Sequence, residues 1–267
     1  VPESEPVFLA SNRSYRYGDG LFETLRCRAG KVLLEQLHFD RLFSGLDLLR
    51  LEMPGLFSRE RLVEQILQLC ARNACSELAR VRLSVYRGDG GLYDRDPRPG
   101  YLIECWPLDP LSTGWNTNGL VLGIFEEGRK AVDAFSPVKS ANALIYSLAA
   151  RFALAHQWNE ALVLNPDGRI ADATTANLFM IRDGIVTVPP VTEGGVAGVM
   201  RRFLLMRFQE DGVPFQERPL TPGDLVVADE VFLTNAIRGI RWVQRIGDRT
   251  YSHALVRIIY DRFIRTI

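Results

Sequence analysis

Apolar residues recur along this chain in two rhythms, and their order gives a strand-rich opening, a pair of helices and a longer mixed second half. From Val7 to Gln36 the text reads as strands, with Ala29-Gly30-Lys31 turning LFETLRCR back onto VLLEQ as a hairpin. Leu37, Leu42, Leu46 and Leu49 then recur at helical intervals, which predicts a helix over Glu35–Leu51. Ser58 is placed to cap a second helix that runs to about Arg72 with Leu62, Ile66 and Leu69 inward. Strands follow at Leu78–Tyr86 and Tyr101–Trp106, on either side of the loop RGDGGLYDRDPRPG. The stretch Leu108–Asn118 has no period and carries Pro, Gly, Ser and Asn. It predicts a linker over residues 111–118 between an N-terminal α/β domain, residues 1–110, and a larger C-terminal domain, residues 119–267.

In the second half the patterning predicts a strand at Leu120–Phe125, a helix from about Ser140 to His156, and a hairpin turned by Asn165-Pro166-Asp167-Gly168. A turn at Arg182-Asp183-Gly184 leads into a strand at Ile185–Val188, and a helix near Val199–Glu210 follows a glycine-rich loop. Strands near Phe215 and Val231, another at Ile240–Ile246 and a closing helix from Ser252 complete an α/β (α+β) pattern without internal repeats.

Composition narrows the class. The 267 residues are 47% hydrophobic and 24% charged with no net charge, which describes a soluble globular protein and argues against a nucleic-acid partner. No apolar run reaches the roughly 20 residues that span a bilayer, and the expected setting is cytoplasmic, with no membrane partner. Cys27, Cys70, Cys75 and Cys105 show neither CxxC spacing nor a nearby histidine, so buried thiols are expected and no metal site.

Candidate chemistry begins with the lysines, because only Lys31, Lys130 and Lys139 occur. Lys31 sits in a hairpin turn and Lys130 in the polar run EEGRK, where both are expected to be solvated. Lys139 lies between Ser136-Pro137 and an apolar helix, where it is either a surface cation or an amine projecting into a cleft, as an imine-forming lysine must. The loop GGVAGVMR, Gly194–Arg201, is either a plain connection or a set of backbone N–H groups at a helix N-terminus, suited to a phosphate. Arg41 is either a solvated helix residue or a bidentate partner for that phosphate. Asp172 in IADATTANLF is either a turn aspartate or a carboxylate facing a cation.

The elements also occur together and in order. RYGDGLFETLR (Arg16–Arg26), HFDRL (His38–Leu42), PVKSAN (Pro137–Asn142), NEALVLNPDGRIADATTANLF (Asn159–Phe179), GVAGVMR (Gly195–Arg201) and ADEVFLTNA (Ala228–Ala236) resemble the successive signatures of class IV aminotransferases. That family includes branched-chain and D-amino-acid aminotransferases and 4-amino-4-deoxychorismate lyases. The resemblance implies a fold type IV enzyme, typically a homodimer, in which a small N-terminal and a larger C-terminal domain enclose pyridoxal 5′-phosphate. It makes Lys139 the Schiff-base lysine and Arg41 the phosphate-binding arginine. Gly198, Val199 and Met200, with Thr234, Asn235 and Ala236, become the rest of the phosphate cup, and Asn177 a further cofactor-binding residue. Asp172 takes the position of the carboxylate that pairs with the pyridine nitrogen, a residue that is usually glutamate.

The same resemblance places Tyr17, Phe22, Thr24 and Arg26 beside the substrate, and Arg80 and Arg82 alternate in the same way on a later strand, which makes them candidates for the same pocket. Several arginines near one pocket suit a substrate with two carboxylates or an acceptor such as 2-oxoglutarate. The reading is therefore an aminotransferase moving an amino group between an amino acid, D-configured ones included, and a 2-keto acid such as 2-oxoglutarate or pyruvate. Two alternatives stay open. RGDGG at Arg87–Gly91 resembles a segment of aminodeoxychorismate lyases, which release 4-aminobenzoate and pyruvate, although Leu92 stands where those enzymes have arginine. A non-catalytic protein that binds the cofactor is the other, and retention of Lys139, Arg41 and GVAGVMR counts against it.

Overall fold

The computed structural model describes residues 2, 4–94 and 98–267, so part of the Gly- and Asp-rich loop, residues 95–97, lies outside the described residues. The chain forms two compact units, Val1–Leu108 with Val138–Ala143 and Asp109–Pro137 with Leu144–Ile267.

The first unit begins with a departure from the expected run of strands. Asn12 caps one helical turn, α1 (Arg13–Tyr17), by accepting from the N–H groups of Ser14 and Tyr15, and Gly18 ends it at φ 68°. A strong cap outweighs the weak alternation of that stretch. Four strands follow, β1 (Gly20–Arg28), β2 (Lys31–Val32), β3 (Leu78–Tyr86) and β4 (Gly100–Pro107), in the antiparallel order β2-β1-β3-β4. Ala29 and Gly30 both take positive φ, 46° and 70°, which fits the turn to the strand twist of a two-residue hairpin. Helices α2 (Glu35–Leu48) and α3 (Arg59–Arg72), the latter capped by Ser58, pack Leu42, Leu46, Leu62 and Ile66 against Leu25, Val81 and Leu83.

Residues 139–141, expected at the start of a helix, instead extend along β1. Phe22 N–H donates to Lys139 O at 2.9 Å and Ala141 N–H to Gly20 O at 2.8 Å, so the edge of β1 takes up backbone groups that a helix would have used. This pairing places Lys139 with the first unit, and the helix begins only at Leu144.

The second unit contains β5 (Leu120–Phe125), α4 (Leu144–Ala155), β6 (Glu160–Leu164), β7 (Ile170–Ala173), β8 (Asn177–Arg182), β9 (Ile185–Val188), α5 (Val199–Asp211), β10 (Phe215–Glu217), α6 (Pro222–Val226), β11 (Glu230–Asn235), β12 (Gly239–Ile246), β13 (Arg249–Thr250) and α7 (Ala254–Phe263). The sheet runs β10-β9-β8-β11-β12-β5-β6-β7, with β13 on β12. Its two faces separate by alternation: Leu122, Leu162, Leu178, Leu233 and Val243 share one apolar cluster, while Phe179 and Phe232 stack on the other face at 4.8 Å. Residues 111–118 carry Asn116, which brackets Trp242 with bonds of 2.9 and 3.1 Å and takes the indole N–H through its carbonyl at 2.6 Å.

Helix α4 lays Ala149 and Ala153 on Phe125 and Val163, and the ring of Trp158 closes that cluster over β5. A Cβ on Gly123 would stand 1.9 Å from the Trp158 ring, which is itself flanked by Phe152 and His156 and cannot swing away cheaply. Gly123→Ala is expected to destabilise the chain by about 1–3 kcal/mol, read as a lower urea midpoint at unchanged slope. Adding Trp158→Ala removes the clash, so the double variant is expected to lose less than the sum of the two single losses.

Candidate active site

The first unit presents two faces of β1, and they carry different chemistry. Glu23 points to the helix side, where its buried carboxylate takes Arg41 Nε at 2.7 Å, Arg41 Nη2 at 2.6 Å and His38 Nδ1 at 2.7 Å. Burial alone would raise this carboxyl, but the Arg41 charge and the bonds from His38 and Arg41 hold it at about 2. The result is a bidentate clamp that fixes the plane of the Arg41 guanidinium. Glu23 and His38 lie within motifs visible in the sequence, yet no local spacing links positions so far apart, and the pattern of residues alone left them without a role.

Phe22, Thr24 and Arg26 occupy the other face of β1, and the register sets them opposite Ser84, Arg82 and Arg80 of β3. The Arg82 guanidinium lies 3.7 Å from the centre of the Phe22 ring, and Lys139 Nζ lies 4.6 Å from the same ring. Burial lowers the Arg82 pKa, with Arg80 acting in the same direction against the opposing charge of Glu104. Five of the six expected substrate residues thus share one face with Lys139, while Tyr17 sits on α1 with an exposed side chain.

The second unit builds its site around Asp172, on β7. The carboxylate is 3% exposed and accepts from Asn177 Nδ2 at 2.6 Å, Val196 N–H at 2.7 Å and Tyr146 O–H at 3.0 Å. Asn177 also donates to Val196 O at 2.9 Å, so its amide joins the carboxylate to the loop before α5. Burial pushes Asp172 up to about 6 against those three bonds and the nearby charge of Lys130. Lys130 is not solvated as its polar neighbours predict. Its backbone N–H bonds Leu164 O at 2.8 Å, which sets it beside Asp172, and burial lowers its pKa.

The glycines of GGVAGVMR allow this close approach. A Cβ on Gly195 would meet Ala171 O at 2.5 Å and Asp172 Oδ1 at 2.9 Å, and one on Gly198 would meet Asn177 Oδ1 at 1.8 Å. Gly198 is also the N-cap of α5 and offers no side chain to the first N–H groups, those of Val199, Met200 and Arg201. Thr234, at the end of β11, is 2% exposed and its Oγ1 has no hydrogen-bond partner among the described residues. Asn235 Oδ1 closes the next turn by accepting from the N–H groups of Ile237 and Arg238, leaving Ala236 inside that turn. Tyr146 was not legible as a site residue, because it lies seven positions after Lys139 within an apolar helix.

An uncapped helix N-terminus and an orphaned buried hydroxyl suit a phosphate. Asp172 suits a protonated ring nitrogen. A carboxylate has about four lone-pair positions, and with three in use one remains on Oδ1. The cysteines build a different cluster in the first unit, where the sulfurs of Cys70, Cys75 and Cys105 lie within 4.8 Å of one another. Cys75 and Cys105 donate to Cys70 O and Leu69 O near the C-terminus of α3, and burial, then Cys75, pushes Cys105 up to about 12. Carbonyls and a helix C-terminus disfavour thiolates, so the thiols pack as neutral groups.

Comparison with known proteins agrees with this geometry. The amino-transferase class IV family profile matches residues 20–246. A Methanocaldococcus jannaschii protein, named by inference as a branched-chain-amino-acid aminotransferase, is 31% identical over 96% of this chain and 88% of its own. An aminodeoxychorismate lyase of Vibrio harveyi is 28% identical over 88% of this chain and 86% of its own. The crystal structure of 4-amino-4-deoxychorismate lyase from Pseudomonas aeruginosa superposes with a TM-score of 0.82 at 30% identity, covering 98% of this chain and 95% of that one. The chain, with its curled mixed sheet and its glycine loop folded over Asp172, belongs to the class IV aminotransferase family.

Proposed function

We propose that the chain is a pyridoxal-phosphate aminotransferase that moves an amino group between an amino acid, D-configured ones included, and a 2-keto acid, with Lys139 as its Schiff-base lysine. The observation that carries this reading is the buried carboxylate of Asp172, held by three donors with one acceptor position left. When bound, the cofactor supplies an electron-poor pyridinium ring that makes the substrate Cα acidic. Asp172 then holds the proton on the ring nitrogen, and Tyr146, Asn177 and Val196 N–H hold Asp172. In the first unit Arg41, oriented by Glu23, would serve as a phosphate partner; in the second, Thr234 Oγ1 and the N–H groups at the start of α5 would serve as phosphate donors. The free Lys139 amine would then serve as the base that takes the proton from Cα. Arg26, Arg80 and Arg82 take the substrate carboxylates. The same reading makes the enzyme a cytoplasmic homodimer, which sedimentation of the purified chain tests for its assembly.

A lyase releasing 4-aminobenzoate and pyruvate is the second reading, favoured by the likeness to two aminodeoxychorismate lyases. Both readings use Lys139 and Asp172 in the same way. Single-turnover reaction of the holoenzyme with D- and L-amino acids, and separately with aminodeoxychorismate, distinguishes them: conversion to the pyridoxamine form marks the aminotransferase and 4-aminobenzoate release the lyase.

Borohydride reduction of the holoenzyme followed by peptide mapping is expected to label Lys139 alone. Label on Lys130, which is half-buried beside Asp172, would move the assignment there. For the phosphate, Arg41→Ala is expected to raise the cofactor dissociation constant about ten- to a hundred-fold, as fits the loss of a charge-assisted bond. Glu23→Gln is expected to produce part of that loss while leaving the guanidinium in place. An unchanged constant in both variants would confine the clamp to a structural role.

Asp172 generates a pH prediction. Its folded-state pKa of about 6 lies above the ordinary 3.8, so the native chain keeps this proton where the unfolded chain has lost it. Stability of the cofactor-free chain therefore falls as pH rises from about 4 through 6, by on the order of 3 kcal/mol from this group. Comparing wild type with Asp172→Asn by urea unfolding across that window isolates the effect. A parallel pH dependence in the two proteins would mean that the carboxyl titrates normally. In the holoenzyme, Asp172→Asn is expected to slow Cα proton abstraction by at least about a hundred-fold, because the ring becomes a poorer electron sink.

A further inference from the structure

We propose that the second unit carries another binding site, a pocket for a small oxyanion on the face of β11 opposite Thr234. Leu233 and Asn235 of β11 line a cavity of about 110 Å³ together with Asn159, Glu160, Arg238 and Arg241. Side chains alternate across a strand, so this cavity opens on the face that Leu233 shares with the inner apolar cluster, away from Thr234 and its orphaned hydroxyl. It therefore lies on the other side of β11 from the Thr234 hydroxyl, and Asn235, expected in the phosphate cup as part of its turn, gives its side chain to this cavity.

The hydrogen bonds around the cavity are lopsided. Every side-chain acceptor in its wall is engaged. Glu160 takes Thr175 Oγ1 on one oxygen at 2.6 Å and, on the other, Thr174 Oγ1 and the Thr175 N–H at 3.0 Å. Asn235 Oδ1 takes two backbone N–H groups at 3.1 and 2.8 Å, and Asn159 Oδ1 takes the Val121 N–H at 2.7 Å. The donors are not matched in the same way. Arg241 makes one long bond, Nη1 to Ser112 O at 3.4 Å, and its buried Nε has no partner among the described residues.

Charge points in the same direction. Two guanidinium groups face one carboxylate that is already bonded, and burial together with Arg238 lowers the Arg241 pKa while Glu160 acts the other way. A cavity with spare cationic donors and engaged acceptors is complementary to an anion with several acceptor oxygens. Its volume is several times the roughly 10–15 Å³ that one water needs on this measure, which leaves room for a carboxylate or an inorganic phosphate.

The test uses the full chain saturated with pyridoxal phosphate, so that the cofactor's own phosphate site is filled. Calorimetric titration at low ionic strength with inorganic phosphate, and separately with acetate, is expected to show saturable binding of at least one. Phosphate alone, acetate alone or both would each support the pocket and name its ligand. Arg241→Gln and Arg238→Gln are each expected to weaken that binding by about ten-fold or more. Arg238 is exposed, so its variant keeps the test decisive if the Arg241 variant does not fold. No binding of either anion, or an affinity unchanged by both substitutions, would overturn the proposal.

Discussion

A carboxylate buried to 3% exposure is tolerable only if its lone pairs are matched, and in the second unit that constraint organises everything near Asp172. Three elements must each bring a donor: α4 brings Tyr146, β8 brings Asn177, and the loop before α5 brings Val196 N–H. The loop can do so only if it lies against β7, which excludes a side chain at residue 195, and against Asn177 of β8, which excludes one at residue 198. Its approach is anchored further back, where buried Glu193 takes Asn165 and Arg169 from the β6–β7 turn. The uncapped N-terminus of α5 is thus a consequence of how the carboxylate is held, because Gly198 occupies the capping position. One buried charge and one exposed set of N–H groups come from the same packing.

The first unit solves a related problem with the alternation of a single strand. Glu23 faces the helices and is matched by Arg41 and His38, whereas Phe22, Thr24 and Arg26 face the other way, opposite Ser84, Arg82 and Arg80 of β3. A one-residue slip of β1 would bury Arg26 in the leucine core and expose Glu23, so the register is strongly specified. The same strand also pairs with residues 139–141, and this is why Lys139 is held by backbone bonds instead of riding on a helix. The backbone so fixed sets Lys139 Nζ 4.6 Å from the centre of the Phe22 ring.

Much of this was legible in the chain before its structure. The alternation of LFETLRCR, the leucine spacing of α2 and the Asp-Gly turn between β8 and β9 report local preference, and local preference survives folding where nothing opposes it. The misses have one cause in common. Residues 139–141 read as helix and became extended because β1 offered distant partners, and Lys130 read as solvated but lies beside Asp172 because of a bond to Leu164. Tyr146 looked like core, and Cys70, Cys75 and Cys105 looked unrelated although their sulfurs meet. Each depends on contacts between residues far apart in sequence, which periodicity does not encode. The ordered motifs carried the family without revealing why Glu23 belongs to Arg41 or why two glycines are needed beside Asp172.

The aspartate at position 172, where the family pattern has glutamate, follows from the same packing. A shorter side chain draws the carboxylate back toward β7, within reach of the Val196 N–H and the Asn177 amide. The absence of a Cβ at Gly195, where one would stand 2.9 Å from Oδ1, is what lets the loop come this close to the carboxylate. Withdrawal alone would weaken the group's hold on a cation at a distance. Burial offsets this by lifting Asp172 to about 6, so that the carboxylate is a stronger base than an ordinary aspartate and responds more to any nearby positive charge. The bonds from Val196 N–H, Tyr146 and Asn177 limit the effect by stabilising the ionised carboxylate, and the Lys130 charge adds to them in the same direction. Basicity and ionisation are therefore set against each other, burial lifting the carboxyl and the donors Val196 N–H, Tyr146 and Asn177, with Lys130, drawing it back, so that a change at any one of them shifts the balance.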